Sequence, residues 1–183
     1  MNGIAILLTG LPGAGKTTLA HALAQEFRQN SGREVTLLDG DEVRRLLSSE
    51  LGYSREHRRL NVLRHSYIAT ELCRYNAVVI CALIAPYAAD RAEMRRMISA
   101  HGNFIEVYLS TPLAVCEQRD PKGLYARARA GTLAHMTGVD DPYETPLRPE
   151  LAIDTSSLDV PQCVARIIAG LQESRTLPAR AAI

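Results

Sequence analysis

Gly10-Leu11-Pro12-Gly13-Ala14-Gly15-Lys16-Thr17-Thr18 carries the pattern G-x-x-x-x-G-K-[ST] in full, and its flanks decide the fold. Before it, residues 4–8 form a continuous apolar run, as a strand buried on both faces requires. After it, residues 16–29 read as a helix with Leu19, Leu23 and Phe27 on one face. A strand, a glycine-rich turn and a helix in that order make a phosphate cradle. The glycines let backbone N–H groups turn inward around an anion, and the helix N-terminus adds partial positive charge. In such a cradle Lys16 reaches the β- and γ-phosphates of ATP, and the Thr17 hydroxyl ligates Mg²⁺.

Outward from this motif, short apolar runs alternate with helical periodicity. Strands are expected at 35–38, 77–83, 104–109 and 151–153, and helices at 41–51, 58–75, 88–100, 112–119 and 160–174. Strands alternating with helices imply an α/β three-layer P-loop kinase fold, a parallel sheet of about five strands flanked by helices. Residues 1–174 are expected to form one domain, with 175–183 as a frayed tail. The polar, glycine-containing stretch 120–149 is too long for a passive connection and reads as a lid.

The 183-residue chain is 46% apolar and 22% charged, ordinary for one globular domain. A net charge of +1 gives no electrostatic case for nucleic-acid or membrane binding, and no apolar run approaches the ~20 residues of a membrane span. Cys73, Cys81, Cys116 and Cys163 show no C-x-x-C spacing, and the first three, in apolar runs, read as buried small hydrophobes. Residues 1–9 lack a basic leader region, so the expected compartment is reducing and cytoplasmic. His21, His57, His65, His101 and His135 have no metal-ligand spacing and are expected on the surface or in the lid.

Asp39-Gly40-Asp41 follows the second strand and faces the same sheet edge as the cradle. A kinase needs a carboxylate beside the attacking hydroxyl and acids near Mg²⁺. Asp41 is the candidate base and Asp39 a metal support; the plainer alternative is a turn with a helix N-cap. Arg44 lies one helical turn past Asp41, and Arg58, Asn61 and Arg64 share a second face. Guanidinium groups hold phosphate or sulfate through paired donors. Arg45, Arg55, Arg59 and Arg74 read as solvated. A hydrolysing switch or motor fits less well, because the third strand ends in Leu83-Ile84-Ala85-Pro86 without an acid.

These segments together resemble the adenylylsulfate kinases. The stretches that carry the resemblance are Leu38-Asp39-Gly40-Asp41-Glu42-Val43-Arg44, Leu51-Gly52-Tyr53-Ser54, Arg58-x-x-Asn61, Arg119-Asp120-Pro121-Lys122-Gly123-Leu124-Tyr125 and Met136-Thr137-Gly138-Val139-Asp140. The resemblance implies transfer of the ATP γ-phosphate to the 3′-hydroxyl of adenylylsulfate. It makes Asp41 and Lys16 catalytic. It assigns Arg44, Arg58 and Asn61 to the acceptor's phosphosulfate and ribose, and Tyr53 to its base. Ile84 and Ala85 would line the acceptor, with Lys122, Met136 and Thr137 closing over it from the lid, and Arg119 would lie by the ATP adenine. A homodimer is likewise implied. The chain departs from the family pattern at Glu42, where Asn is usual, at Leu60 for Glu, at Ala85 for a serine, and at Met136 for a lid phenylalanine. Two other readings stand beside it: a paralogous kinase for another nucleotide with an anionic tail, and a nucleotide-binding regulatory domain without turnover.

Overall fold

The first strand, β1 (Gly3–Gly10), is buried along its whole length and lies in the middle of the sheet, paired on both sides. A computed structural model describes residues 2–174; the expected tail at 175–183 lies outside them. The other strands are β2 (Val35–Asp39), β3 (Val78–Ala82), β4 (Gly102–Leu109) and β5 (Leu151–Ile153). All pair in parallel, in the order β2-β3-β1-β4-β5. In register, Leu8 stands beside Ala82 and Gly10 beside Leu109, so the strands finish at one rim.

The helices are α1 (Lys16–Asn30), α2 (Gly40–Leu47), α3 (Arg55–Arg74), α4 (Ala88–Ser99), α5 (Leu113–Arg119), α6 (Leu124–Arg129) and α7 (Val160–Glu173). Strand periodicity divides the apolar side chains between two cores. Ile4, Ile6 and Leu8 join Val78, Ile80, Val107 and Ile153 under α1 and α7, where Leu23, Phe27, Ile167 and Leu171 cover them. Ala5 and Leu7 point to the other face, with Val79, Cys81, Val62, Ala69, Met94 and Ile98 from β3, α3 and α4. Each fully buried Leu or Ile contributes roughly 1.5–3 kcal/mol, so the two layers hold the sheet from both sides. All four cysteines are buried and free. No helix among the described residues is long and apolar enough to cross a membrane.

The elements differ from expectation in three instructive places, and one histidine in a fourth. Helix α2 stops at Leu47 rather than running to 51, because Arg64 takes the Leu47 carbonyl that would accept the Leu51 N–H, which turns to the Ser48 carbonyl instead. Arg64 donates to the Leu47 carbonyl at 2.5 Å and Arg44 to those of Leu51 and Gly52 at 3.0 and 2.9 Å. Helix α3 starts at Arg55, since Ser54 caps it by accepting the His57 N–H. Helix α6 lies within the stretch expected to be irregular, its entry held by Asp120 accepting from the Tyr125 and Ala126 N–H groups. His65, expected on the surface, is fully buried on the inner face of α3, with Nδ1 2.8 Å from the Asn61 carbonyl. Burial lowers its pKa, and the imidazole stays neutral.

Candidate active site

At the carboxyl rim of the sheet, residues 10–17 leave β1 and turn into α1. Gly13 (φ +78) and Gly15 (φ +92) adopt a left-handed conformation that costs an L side chain about 1–2 kcal/mol. A Cβ on Gly13 would also stand 2.8 Å from the Cys116 carbonyl. Lys16 folds back over the loop, its ammonium donating to the carbonyls of Gly10 and Leu11 at 3.0 and 2.8 Å. Desolvation lowers its pKa to about 8, with Asp41 and Asp39 pulling the other way. A cation this short of solvent is poised to accept an anionic partner.

Asp39 does two jobs at once. One carboxylate oxygen accepts the Thr17 hydroxyl at 2.7 Å and the other accepts the Asp41 N–H at 2.9 Å. It is thus the N-cap of α2, as the plainer reading expects, and it also stands beside Thr17 at the nest. Thr17 and Asp39 present hard oxygen donors side by side, the chemistry a small divalent cation takes. Asp41 stands at the start of α2, exposed, and forms an ion pair with Lys122 from the 120–149 segment.

Across the same space, Arg44 and Arg58 flank the Tyr53 ring at 4.6 and 5.6 Å. Arg58 is buried; it donates to the carbonyls of Tyr53 at 2.9 Å and His135 at 2.5 Å and lies 3.4 Å from Asp141. Desolvation lowers its pKa, and Asp141 partly restores it. Asn61 is buried beside it with its side-chain oxygen unpartnered within the protein. A buried, unsatisfied amide oxygen facing a cavity is a place for a ligand donor.

The loop after β3 closes the inner wall. Thr9, the residue before the nest, donates its hydroxyl to the Ile84 carbonyl at 2.6 Å and lies 2.9 Å from the Tyr143 hydroxyl. Ala85 holds a positive φ of 42°, a strained position for a residue with a Cβ. Buried Arg91 overrides that strain by donating to the Ala85 carbonyl at 2.7 Å while pairing with Glu106 at 2.8 Å. Arg91 also donates to the Glu144 carbonyl at 2.6 Å, and sequence reasoning missed it because its partners are the Glu106 side chain on β4 and main-chain carbonyls of two loops that only the fold brings together.

All of this surrounds one cavity of about 740 Å³. Its wall includes Gly13, Gly15, Lys16, Thr17 and Thr18 on one side and Asp39, Asp41, Arg44, Tyr53, Arg58 and Asn61 on the other. Ile84, Ala85, Arg119 and Lys122 line it as well, as do Tyr125 and Thr155. Pro12 lines it too, whereas Gly10, Leu11 and Ala14 stand behind as backbone of the loop. Two expected residues are elsewhere. Met136 is buried in the α1/α7 core and Thr137 is buried within the 135–141 turn, and neither lines the cavity. Asp140 causes this, accepting the N–H groups of His135 and Met136 at 2.7 and 2.6 Å and folding the turn inward. Of the four departures from the family pattern, Glu42, Leu60 and Met136 lie off the cavity wall; Ala85 alone lines it. No cluster of three or more His, Cys, Asp or Glu side chains able to hold a metal occurs among the described residues.

The adenylylsulphate kinase family model matches residues 2–154. The adenylyl-sulfate kinase of Synechococcus sp. (strain JA-3-3Ab) is 48% identical over 170 residues, spanning 93% of this chain and 94% of that protein. Among solved structures, the Mycobacterium tuberculosis APS kinase CysC in complex with AMPPNP and APS superposes with a TM-score of 0.89 at 37% identity, covering 93% of this chain and 98% of that one. The hexameric APS kinase from Thiobacillus denitrificans gives 0.76 at 41% identity, over 96% of this chain and 30% of the other.

Proposed function

Because the chain belongs to the adenylylsulphate kinase family, we propose that this cavity transfers the γ-phosphate of ATP to the 3′-hydroxyl of adenylylsulfate, giving 3′-phosphoadenylylsulfate and ADP. The observation that carries the reading is the shared cavity. One space is lined both by the phosphate nest and by Asp41 with its neighbouring arginines.

In the reaction the acceptor's 3′-oxygen attacks the γ-phosphorus in line. A new O–P bond forms as the bond to the β–γ bridging oxygen breaks, and ADP leaves with that electron pair. Asp41 takes the hydroxyl proton. Lys16 exchanges the Gly10 and Leu11 carbonyls for phosphate oxygens, which favour its charged form. Thr17 and Asp39 would hold Mg²⁺, which would supply positive charge against the charge developing on the phosphates. Arg44, Arg58 and Asn61 orient the acceptor's anionic groups and ribose, Tyr53 its base, and Arg119 stands toward the nucleotide end. Ala85 has no hydroxyl, so no phosphoenzyme forms there, and direct in-line transfer does not need that group.

Residues 1–174 act as one kinase domain with 120–149 as its lid, in the cytoplasmic activation of sulfate. The family resemblance supports a homodimer, which light scattering checks. Coupled ADP release separates the readings of the site. Saturable turnover with adenylylsulfate, and none without acceptor, is expected. Turnover only with another nucleotide would assign a different acceptor, and tight ATP binding without turnover would make this a regulatory domain.

A further inference from the structure

A phosphate nest works only if its N–H groups point inward, and in a planar trans peptide the preceding carbonyl must then point outward. Outward carbonyls behind a buried loop need donors of their own. Here they have them, each from a different part of the fold. The Pro12 carbonyl accepts the Tyr125 hydroxyl at 3.0 Å, and the Ala14 carbonyl accepts the Thr155 hydroxyl at 3.0 Å. Arg119 approaches the Gly13 carbonyl at 3.4 Å and braces Thr155 through its hydroxyl and carbonyl, both at 2.8 Å. Thr111 adds a further contact to the Thr155 hydroxyl at 2.9 Å.

We propose that Tyr125 and Thr155 are positioning residues that clamp the nest, fixing the Pro12–Gly13 and Ala14–Gly15 peptides so that the N–H groups of Gly13 and Gly15 face the nucleotide's phosphates. The two clamped peptides end in Gly13 and Gly15, both of positive φ, positions where the loop itself has least to hold it. Tyr125 is 2% exposed, and burial pushes its phenol pKa up, so it remains a protonated donor. It also belongs to α6, so the base of the 120–149 segment is fastened to the nest. Gly138 of the same segment is packed against it as well; a Cβ there would stand 2.9 Å from Leu11 Cδ2 and 4.0 Å from the Tyr125 hydroxyl. The clamp therefore joins the nest to the part of the chain that covers the acceptor.

This inference rests on the kinase reading, since it presupposes that the nest binds nucleotide phosphate. Tyr125→Phe deletes one hydroxyl and keeps the buried ring; Thr155→Val does the same on the other side. Calorimetry with MgADP and steady-state kinetics on the full chain test both. Each variant should weaken MgADP roughly three- to tenfold and raise the KM for ATP, with the KM for adenylylsulfate within about twofold. Thr155→Ser, which keeps the hydroxyl, should restore nucleotide affinity. Unchanged MgADP affinity in both Tyr125→Phe and Thr155→Val, whatever their melting temperatures, would overturn the clamp. If the unaltered protein bound no MgADP, the kinase reading would fall first and the clamp with it.

Discussion

Lys122 reaches across from the segment after α5 to form an ion pair with Asp41, 81 positions away in sequence. The pair places a cation of the 120–149 segment on the proposed base. Both side chains are more than half exposed, so the contact adds little to stability. Its importance is positional. An anionic acceptor entering between them would take Lys122 as a partner and leave the Asp41 carboxylate free for the hydroxyl.

Replacing Lys122 should therefore act on the acceptor and hardly elsewhere. Lys122→Ala is expected to raise the KM for adenylylsulfate roughly tenfold, about 1.4 kcal/mol. MgADP affinity and the melting temperature should stay near their starting values, by calorimetry and thermal unfolding.

Asp41→Asn keeps the shape of the site and removes the proton acceptor. Turnover should fall roughly 10²- to 10⁴-fold, the usual range for general-base catalysis, with MgATP binding nearly intact. Asp39→Asn should behave differently, because Asp39 touches Thr17 and caps α2; it should weaken the Mg²⁺ dependence of turnover as well.

Arg58 joins the proposed acceptor site to the surrounding structure. Arg58→Ala should abolish measurable adenylylsulfate binding while leaving MgADP affinity within about twofold. It should also cost about 3–5 kcal/mol of stability, since Asp141 and the carbonyls of Tyr53 and His135 lose a buried partner. Denaturant titration and calorimetry read the two effects separately.

The pH dependence follows from Lys16. Burial holds its pKa down at about 8, and phosphates bound in the nest would raise it. Binding then takes up protons above pH 8, so nucleotide affinity should fall as pH rises past that point, by up to roughly tenfold per unit. Below pH 8 both states are protonated and the affinity should be flat in this respect. For folding the sign reverses: between about 8 and 10.5 the unfolded chain binds more protons, so Lys16 favours the empty folded protein increasingly as pH rises. Calorimetry at pH 9 in buffers of different ionisation enthalpy should register the proton uptake, and Lys16→Met should abolish it.

The parts of this molecule legible in sequence are those governed by local rules. Residues 10–17 announce the nest because only glycines tolerate its backbone, and residues 4–8 announce a central strand because both faces are buried. Asp39 and Asp41 follow from their place after β2. What escaped depends on contacts between distant segments. The early end of α2 comes from Arg64, and the inward turn of Met136 comes from Asp140 side-chain geometry. Met136 has the apolar character of a lid residue and of a core residue alike, so only the fold distinguishes them. Arg91 looks like a solvated helix arginine until β4 supplies Glu106 and the loop after β3 turns the Ala85 carbonyl toward it. Tyr125 and Thr155 act on main-chain atoms 113 and 141 positions away, for which no spacing rule exists.

Everything turns on the phosphate nest and Asp41 acting together on one hydroxyl. The direct test is ³¹P NMR of the product formed from MgATP and adenylylsulfate, run beside Asp41→Asn. Expected is one new phosphomonoester resonance coupled to the ribose 3′ proton, growing in step with ADP and absent over the same interval in the variant. Inorganic phosphate in place of that ester, or the same ester formed at an undiminished rate by Asp41→Asn, would contradict it.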